Sequence, residues 1–200
     1  MIKKMLSISW AYWALQKWGG GENARKKYVL DYIQPKPNMK ILDIGCGPGN
    51  MAPLFKDCEY FGIDPSETYI KSAKENFGQL GDFYCGNILE KNIFEGQSFD
   101  IIHMTGVLHH VDDPTGKQLI SYCKSMLNSK GCLWTLDGCI TEHQSILKRT
   151  LLNLDRGKFV RNLEGYLALS PSTENIDFWI LEDLFWPLPY TAIITKYLKP

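Results

Sequence analysis

The chain has 200 residues, the size of one ordinary domain. It is 44% hydrophobic and 22% charged, and 22 Lys plus Arg balance 22 Asp plus Glu, for a formal net charge of zero. These values argue against disorder and remove the basic excess that nucleic acids and anionic membranes select.

Residues 1–34 carry aromatic side chains at Trp10, Tyr12, Trp13 and Trp18, a Gly19-Gly20-Gly21 break, and a helix expected from Glu22 to Ile33. Lys3 and Lys4 open the segment like a signal peptide, but polar and bulky residues interrupt it and no cleavage site follows. No apolar run approaches the ~20 residues of a bilayer helix. A cytoplasmic protein with no membrane and no nucleic-acid partner is expected.

From Met39 to Asp137, short apolar runs alternate with helical patterns. Met39–Ile44 is the first expected strand, followed by Tyr60–Ile63, Phe83–Cys85, Phe99–Met104 and Cys132–Leu136. Ser66–Phe77 puts Tyr69, Ile70, Ala73 and Phe77 on one helical face. The stretch after Asp113-Pro114 does the same with Leu119, Ile120, Cys123, Met126 and Leu127, with Asp113 as its cap and Asn128–Gly131 as its end. The alternation implies parallel strands, right-handed crossovers and a doubly wound α/β sheet. Residues 141–169 read as one or two helices with Ile146, Leu147, Thr150, Leu151 and Leu154 on one face. Ile176–Ile180 and Tyr190–Thr195 are the last β runs. The six cysteines form no Cys-x-x-Cys pair, so neither disulfides nor a metal site is expected.

Asp43-Ile44-Gly45-Cys46-Gly47-Pro48-Gly49 falls where the first strand should turn into its helix, at the strand end where open α/β sheets bind ligands. A dinucleotide fingerprint needs a third glycine where Asn50 stands, and a phosphate loop needs Gly-Lys-Ser/Thr, which is absent. Asp43 is a poor neighbour for pyrophosphate. Asp64, nineteen residues after Gly45, is placed to accept from two ribose hydroxyls. A nucleoside carrying an amino acid instead of phosphates meets both demands.

With these features the sequence resembles the class I S-adenosylmethionine-dependent methyltransferases. The resemblance runs through Ile41–Gly49, Tyr60–Asp64, Phe99–Ile102, Gly106–Asp113 and the Leu127–Asp137 region, about half the chain in the right order. It implies a Rossmann-like sheet of about seven strands, mostly parallel with an antiparallel C-terminal strand. It also implies one domain over 1–200, with an N-terminal helical cap (1–34), a cofactor-binding core (35–137) and closing helices and strands (138–200). Asp43, Gly45, Cys46, Gly47 and Gly49 would hold the methionine part of S-adenosylmethionine, and of its product S-adenosylhomocysteine. Asp64 would take the ribose, and Pro65, with Ser66, would border the adenine. Asn87 and Ile88 stand where the family contacts the adenine amino group, although Gly86-Asn87 is also a common turn pair. Thr105 and Gly106 would line the reactive end.

Methyl transfer needs alignment and water exclusion, and a base only when the acceptor must lose a proton. His110, with His109 beside it, is the candidate base at the mouth of the cleft. A narrower resemblance, to a bacterial subgroup of small-molecule type, rests on Asp137-Gly138, Arg149, Asp155-Arg156-Gly157, Val160-Arg161, Tyr166 and Pro189-Tyr190-Thr191. Arg156 and Arg161 would grip an anionic group of a small-molecule acceptor, or else belong to a structural ion-pair network. Tyr12, His109 and Tyr190 would line the acceptor pocket. Two other readings stand beside the enzyme: a non-catalytic nucleoside-binding regulatory module, and an NAD-dependent oxidoreductase, which Asn50 disfavours. The oligomeric state and the acceptor atom stay open.

Overall fold

The computed structural model describes residues 21–90, 93–154, 157–172 and 175–199. Tyr12, Arg156 and the aromatic residues Trp10, Trp13 and Trp18 lie outside them. Seven strands form one sheet in the order β3-β2-β1-β4-β5-β7-β6. They are β1 (Lys40–Ile44), β2 (Glu59–Asp64), β3 (Asp82–Cys85), β4 (Phe99–Thr105), β5 (Leu127–Gly138), β6 (Ile176–Leu181) and β7 (Ala192–Leu198). Strands β1 to β5 pair in parallel, and β7 inserts antiparallel between β5 and β6. The doubly wound, mostly parallel sheet with an antiparallel C-terminal strand is therefore as expected.

Both faces of the sheet are covered, which is why its inner strands read as continuous apolar runs rather than alternating ones. One face packs against α1 (Gly21–Lys27), the π-helical turn Tyr28–Ile33 that continues it, α2 (Glu67–Phe77) and α4 (Ile146–Leu154), through Ala24, Tyr28, Ile70, Ala73 and Leu152. The other packs against α3 (Asp113–Ser125) and α5 (Leu163–Leu167), through Leu119, Ile120, Cys123 and Tyr166. The thiols of Cys123 and Cys139 are pushed up by burial, to about 12 and about 11, so they act as small apolar groups.

Four local expectations change. The glycine turn leads into a single 3-10 turn, Ala52–Phe55, because only nine residues separate Gly49 from β2 and Pro53 occupies its first turn. Asp112, not Asp113, caps α3: its Oδ1 accepts from Thr115 N at 3.0 Å, which leaves the Asp113 carboxylate for another partner. Asn128–Gly131 begins β5 rather than lying outside it, and the β4 pairing shifts register between Phe99 and Ile101 to absorb the irregularity. On α4 the core takes Leu152, whereas Ile146 and Leu147 are 86% and 60% exposed.

Candidate active site

The carboxyl ends of β1, β2, β4 and β5 meet at the glycine turn. Gly45 adopts φ +73°, and a Cβ there would lie 2.5 Å from Val107 Cγ2, on the loop leaving β4. The turn is tied to the end of β2: Ile63 O accepts from Gly45 N (2.8 Å) and Cys46 N (3.1 Å). Asp64 Oδ2 accepts from Gly47 N (3.0 Å), and Asp64 Oδ1 accepts from Ser66 N (2.8 Å). The donors of this corner are therefore filled by the chain itself. A phosphate-binding loop offers such donors to its ligand instead. Gly47, at φ +53°, has open space where a side chain would stand. Gly45→Ala should lower stability by about 2–4 kcal/mol, from left-handed strain plus the Val107 clash, measured as the urea midpoint.

The remaining cofactor candidates are placed as follows. Pro65 is exposed at the corner after β2. Cys46 is buried under the turn against Gly62, its thiol pushed up by burial. Asn87 is engaged in its own turn, its Oδ1 accepting from Leu89 N (3.1 Å) and its amide donating to Glu90 (2.8 Å). The side chain of Ile88 is buried in the core. Thr105 and Gly106 end β4, with Gly106 N donating to Leu136 O at 2.7 Å. Asp43 departs from expectation: its carboxylate is 1% exposed and turned into the core, where it accepts from the Tyr60 hydroxyl and faces His103.

His109 and His110 sit on the 3-10 turn Leu108–His110, their rings 4.2 Å apart. They differ sharply. His110 is exposed, whereas His109 is buried and donates both Nδ1–H (2.8 Å) and its backbone N–H (3.1 Å) to Asp137 Oδ1 at the end of β5. Its ring passes between Gly106 and Gly157. A Cβ on Gly157 would lie 2.0 Å from His109 Cδ2, so only glycine fits there. Phe159 N donates to His109 O, joining this loop to the C-terminal segment.

Arg161 corrects the expectation of a substrate grip. Its Nε donates to Asp113 Oδ1 (2.8 Å), Nη1 to Leu108 O (2.7 Å) and Phe159 O (2.9 Å), and Nη2 to Val111 O (2.8 Å), with Asp113 Oδ1 again at 2.7 Å. All five guanidinium donors are used within the chain. Arg161 is a strap over the β4–α3 loop and has nothing left for an acceptor. Tyr190 is buried with its hydroxyl against Gly138 and its ring edge-on to Phe185. A shallow groove of about 600 Å³ between Pro37 and Glu59 lies at the amino ends of β1 and β2, the wrong edge for a doubly wound site.

Residues 41–131 match the family described as "Methyltransferase domain". An uncharacterized methyltransferase of Alkaliphilus oremlandii (strain OhILAs) is 27% identical over 174 residues, which cover 86% of this chain and 76% of that protein. These two matches support a class I S-adenosylmethionine-dependent methyltransferase. The ubiquinone biosynthesis O-methyltransferase of Actinobacillus pleuropneumoniae serotype 5b (strain L20) is 34% identical over 119 residues, covering 52% of this chain and 50% of that protein. The chain thus aligns with about half the length of that relative. The solved plantazolicin methyltransferase BpumL shares the fold at TM-score 0.67 and 16% identity, over 97% of this chain and 90% of that one.

Three residues beneath the candidate site escaped the sequence reading. Tyr28, Tyr60 and His103 line up under the turn with Asp43, on one face of the sheet. The one available signal was a histidine, His103, inside the largely apolar run Phe99–Met104. Among the described residues no group of three His, Cys, Asp or Glu side chains converges to hold a metal ion. No helix among them is long and apolar enough to cross a membrane.

Proposed function

We propose that this domain transfers a methyl group from S-adenosylmethionine to a small-molecule acceptor. The observation that carries the reading is the corner itself. Its backbone donors are filled by Ile63 O and the Asp64 carboxylate, so it repels phosphates, and Gly47 leaves room for a nucleoside. That disfavours a nicotinamide dinucleotide. When bound, the cofactor supplies a methyl carbon made electrophilic by its sulfonium. Asp64 retains lone pairs for two ribose hydroxyls, and Gly45–Gly49 let the methionine part lie close to the backbone. Thr105 and Gly106 border the reacting end. Relatives named for O-methylation and for phosphoethanolamine N-methylation support a small acceptor.

Where the acceptor must lose a proton, His109 takes it. The Nδ1–H bond to Asp137 fixes the tautomer, so the basic lone pair stands on Nε2, and the carboxylate stabilises the imidazolium as it forms. His110, the expected base, is exposed on the same 3-10 turn. His109→Gln should lower kcat by about 100-fold or more with S-adenosylhomocysteine affinity unchanged, whereas His110→Gln should cost only a few-fold. Equal losses in the two variants would reverse the assignment.

The overall reading is tested by calorimetric titration with S-adenosylhomocysteine and NADH, then by labelled methyl donor across a metabolite panel. Micromolar binding of the first, none of the second and label in a small product are expected. Cofactor binding without turnover on any acceptor would favour the regulatory module.

A further inference from the structure

The sheet ends at β6 on an open edge. Strand β6 follows β7 in the strand order, and among the described residues no strand lies beyond it. Two hydrogen bonds fix which of its backbone groups are spent. Leu198 N donates to Asn175 O on the β6 side of β7, and Cys139 N donates to Thr191 O on the β5 side. Alternation along antiparallel ladders then turns Asp177, Trp179 and Leu181 towards β7. It leaves the N–H and C=O of Ile176, Phe178 and Ile180 pointing outward.

Sheet edges are ordinarily guarded by Lys, Pro, a bulge or a very short strand. At the far edge β3 has only four residues and starts at Asp82. Strand β6 has six, Ile-Asp-Phe-Trp-Ile-Leu, with no Lys or Pro and an unbroken register on β7. Its single charge, Asp177, lies on the face of Trp179 and Leu181, opposite Lys196. On the other face Phe178 and Ile180 are 44% and 37% exposed.

We propose that β6 pairs antiparallel with β6 of a second copy of this chain, about a two-fold axis at Phe178. The three outward residues of each copy then exchange about six N–H···O bonds. On one face Phe178 meets the partner's Phe178, and Ile176 meets the partner's Ile180. On the other, Asp177 meets the partner's Trp179, so the strand's only carboxylate never faces itself. An axis at Asp177 would oppose two carboxylates, and one at Trp179 would set Glu182 against Ile176. The strand is thus complementary to itself in one register, which is what a second copy supplies. Such an axis is perpendicular to the sheet and runs the two sets of parallel strands in opposite directions. The two glycine corners therefore open at opposite ends of the joined sheet, and pairing blocks neither. A strand pair alone buries less than the about 800 Å² per partner of a standard interface, so association should need micromolar concentrations or more.

Sedimentation velocity over about 1–300 μM tests the pairing. The apparent mass should climb from one chain towards two, and amide exchange at Phe178 and Ile180 should slow as concentration rises. Phe178→Lys should weaken association at least about tenfold, because the new charge faces its own copy. Mixing that variant with Phe178→Glu should restore a dimer of one chain of each kind, which a mere loss of apolar surface would not do. Ile180→Lys serves if Phe178→Lys does not fold. A single-chain mass throughout, a dimer indifferent to Phe178→Lys, or a mixture no better than that variant alone overturns the proposal. So does equally slow exchange of the two amides at every concentration, since the chain itself would then cover the edge.

Discussion

Asp64→Ala should weaken S-adenosylhomocysteine binding by more than about 100-fold and lower stability by about 2 kcal/mol. The two effects have different sources. The stability loss comes from Gly47 N and Ser66 N, which donate to the two carboxylate oxygens at 3.0 and 2.8 Å and would be left facing an apolar methyl. The affinity loss comes from the ribose hydroxyls, which lose their acceptor, and from a turn no longer held to β2. Asp64→Asn separates them: it keeps one acceptor oxygen, so it should recover part of the stability and little of the affinity. Chemical denaturation and calorimetry of the same samples read both. Affinity within about threefold of the unmodified protein would remove Asp64 from the cofactor site.

Arg161→Ala should destabilise the domain by about 3–5 kcal/mol, the largest loss expected of any single side chain here. Three carbonyls, Leu108 O, Val111 O and Phe159 O, each lose a guanidinium donor. The ion pair contributes least, because the Asp113 side chain is 67% exposed and solvent screens it. Asp113→Asn should accordingly cost under about 1 kcal/mol, and Arg161→Lys most of the alanine loss, since a single ammonium cannot span Asp113 and three carbonyls. Urea midpoints rank the three. If Arg161→Lys kept full stability and lost affinity for one acceptor only, the strap would be a substrate grip after all.

The sequence made the fold legible wherever chemistry is local. Apolar runs bounded by turns marked all seven strands, and the spacing of Asp43, Gly45, Gly47 and Asp64 marked the corner. What escaped it depends on distant pairing. Arg161 looked like an anion grip because its carbonyl partners, Leu108 and Val111, are about fifty residues away and carbonyls leave no trace in a sequence. Asp43 looked like a cleft acid because nothing local shows that Tyr60 and His103 will enclose it. Asp112 and Asp113 both suit a cap in sequence, but Asp112 takes it and Asp113 pairs with Arg161, 48 residues away. Gly157 read as one letter of a subgroup motif, whereas its cause is the ring of His109, which crosses where a side chain would be.

The pairing of β5 with β7 has a practical consequence for excising the domain. Every rung between them, from Cys132–Leu198 to Gly138–Ala192, falls after residue 131, where the family match ends. A fragment trimmed to that match would also lose the β4 rungs from Ile101–Cys132 onward, turning an interior strand into a raw apolar border. Such a fragment should precipitate on expression, so the C-terminal tail is part of the minimal foldable unit rather than an ornament on it.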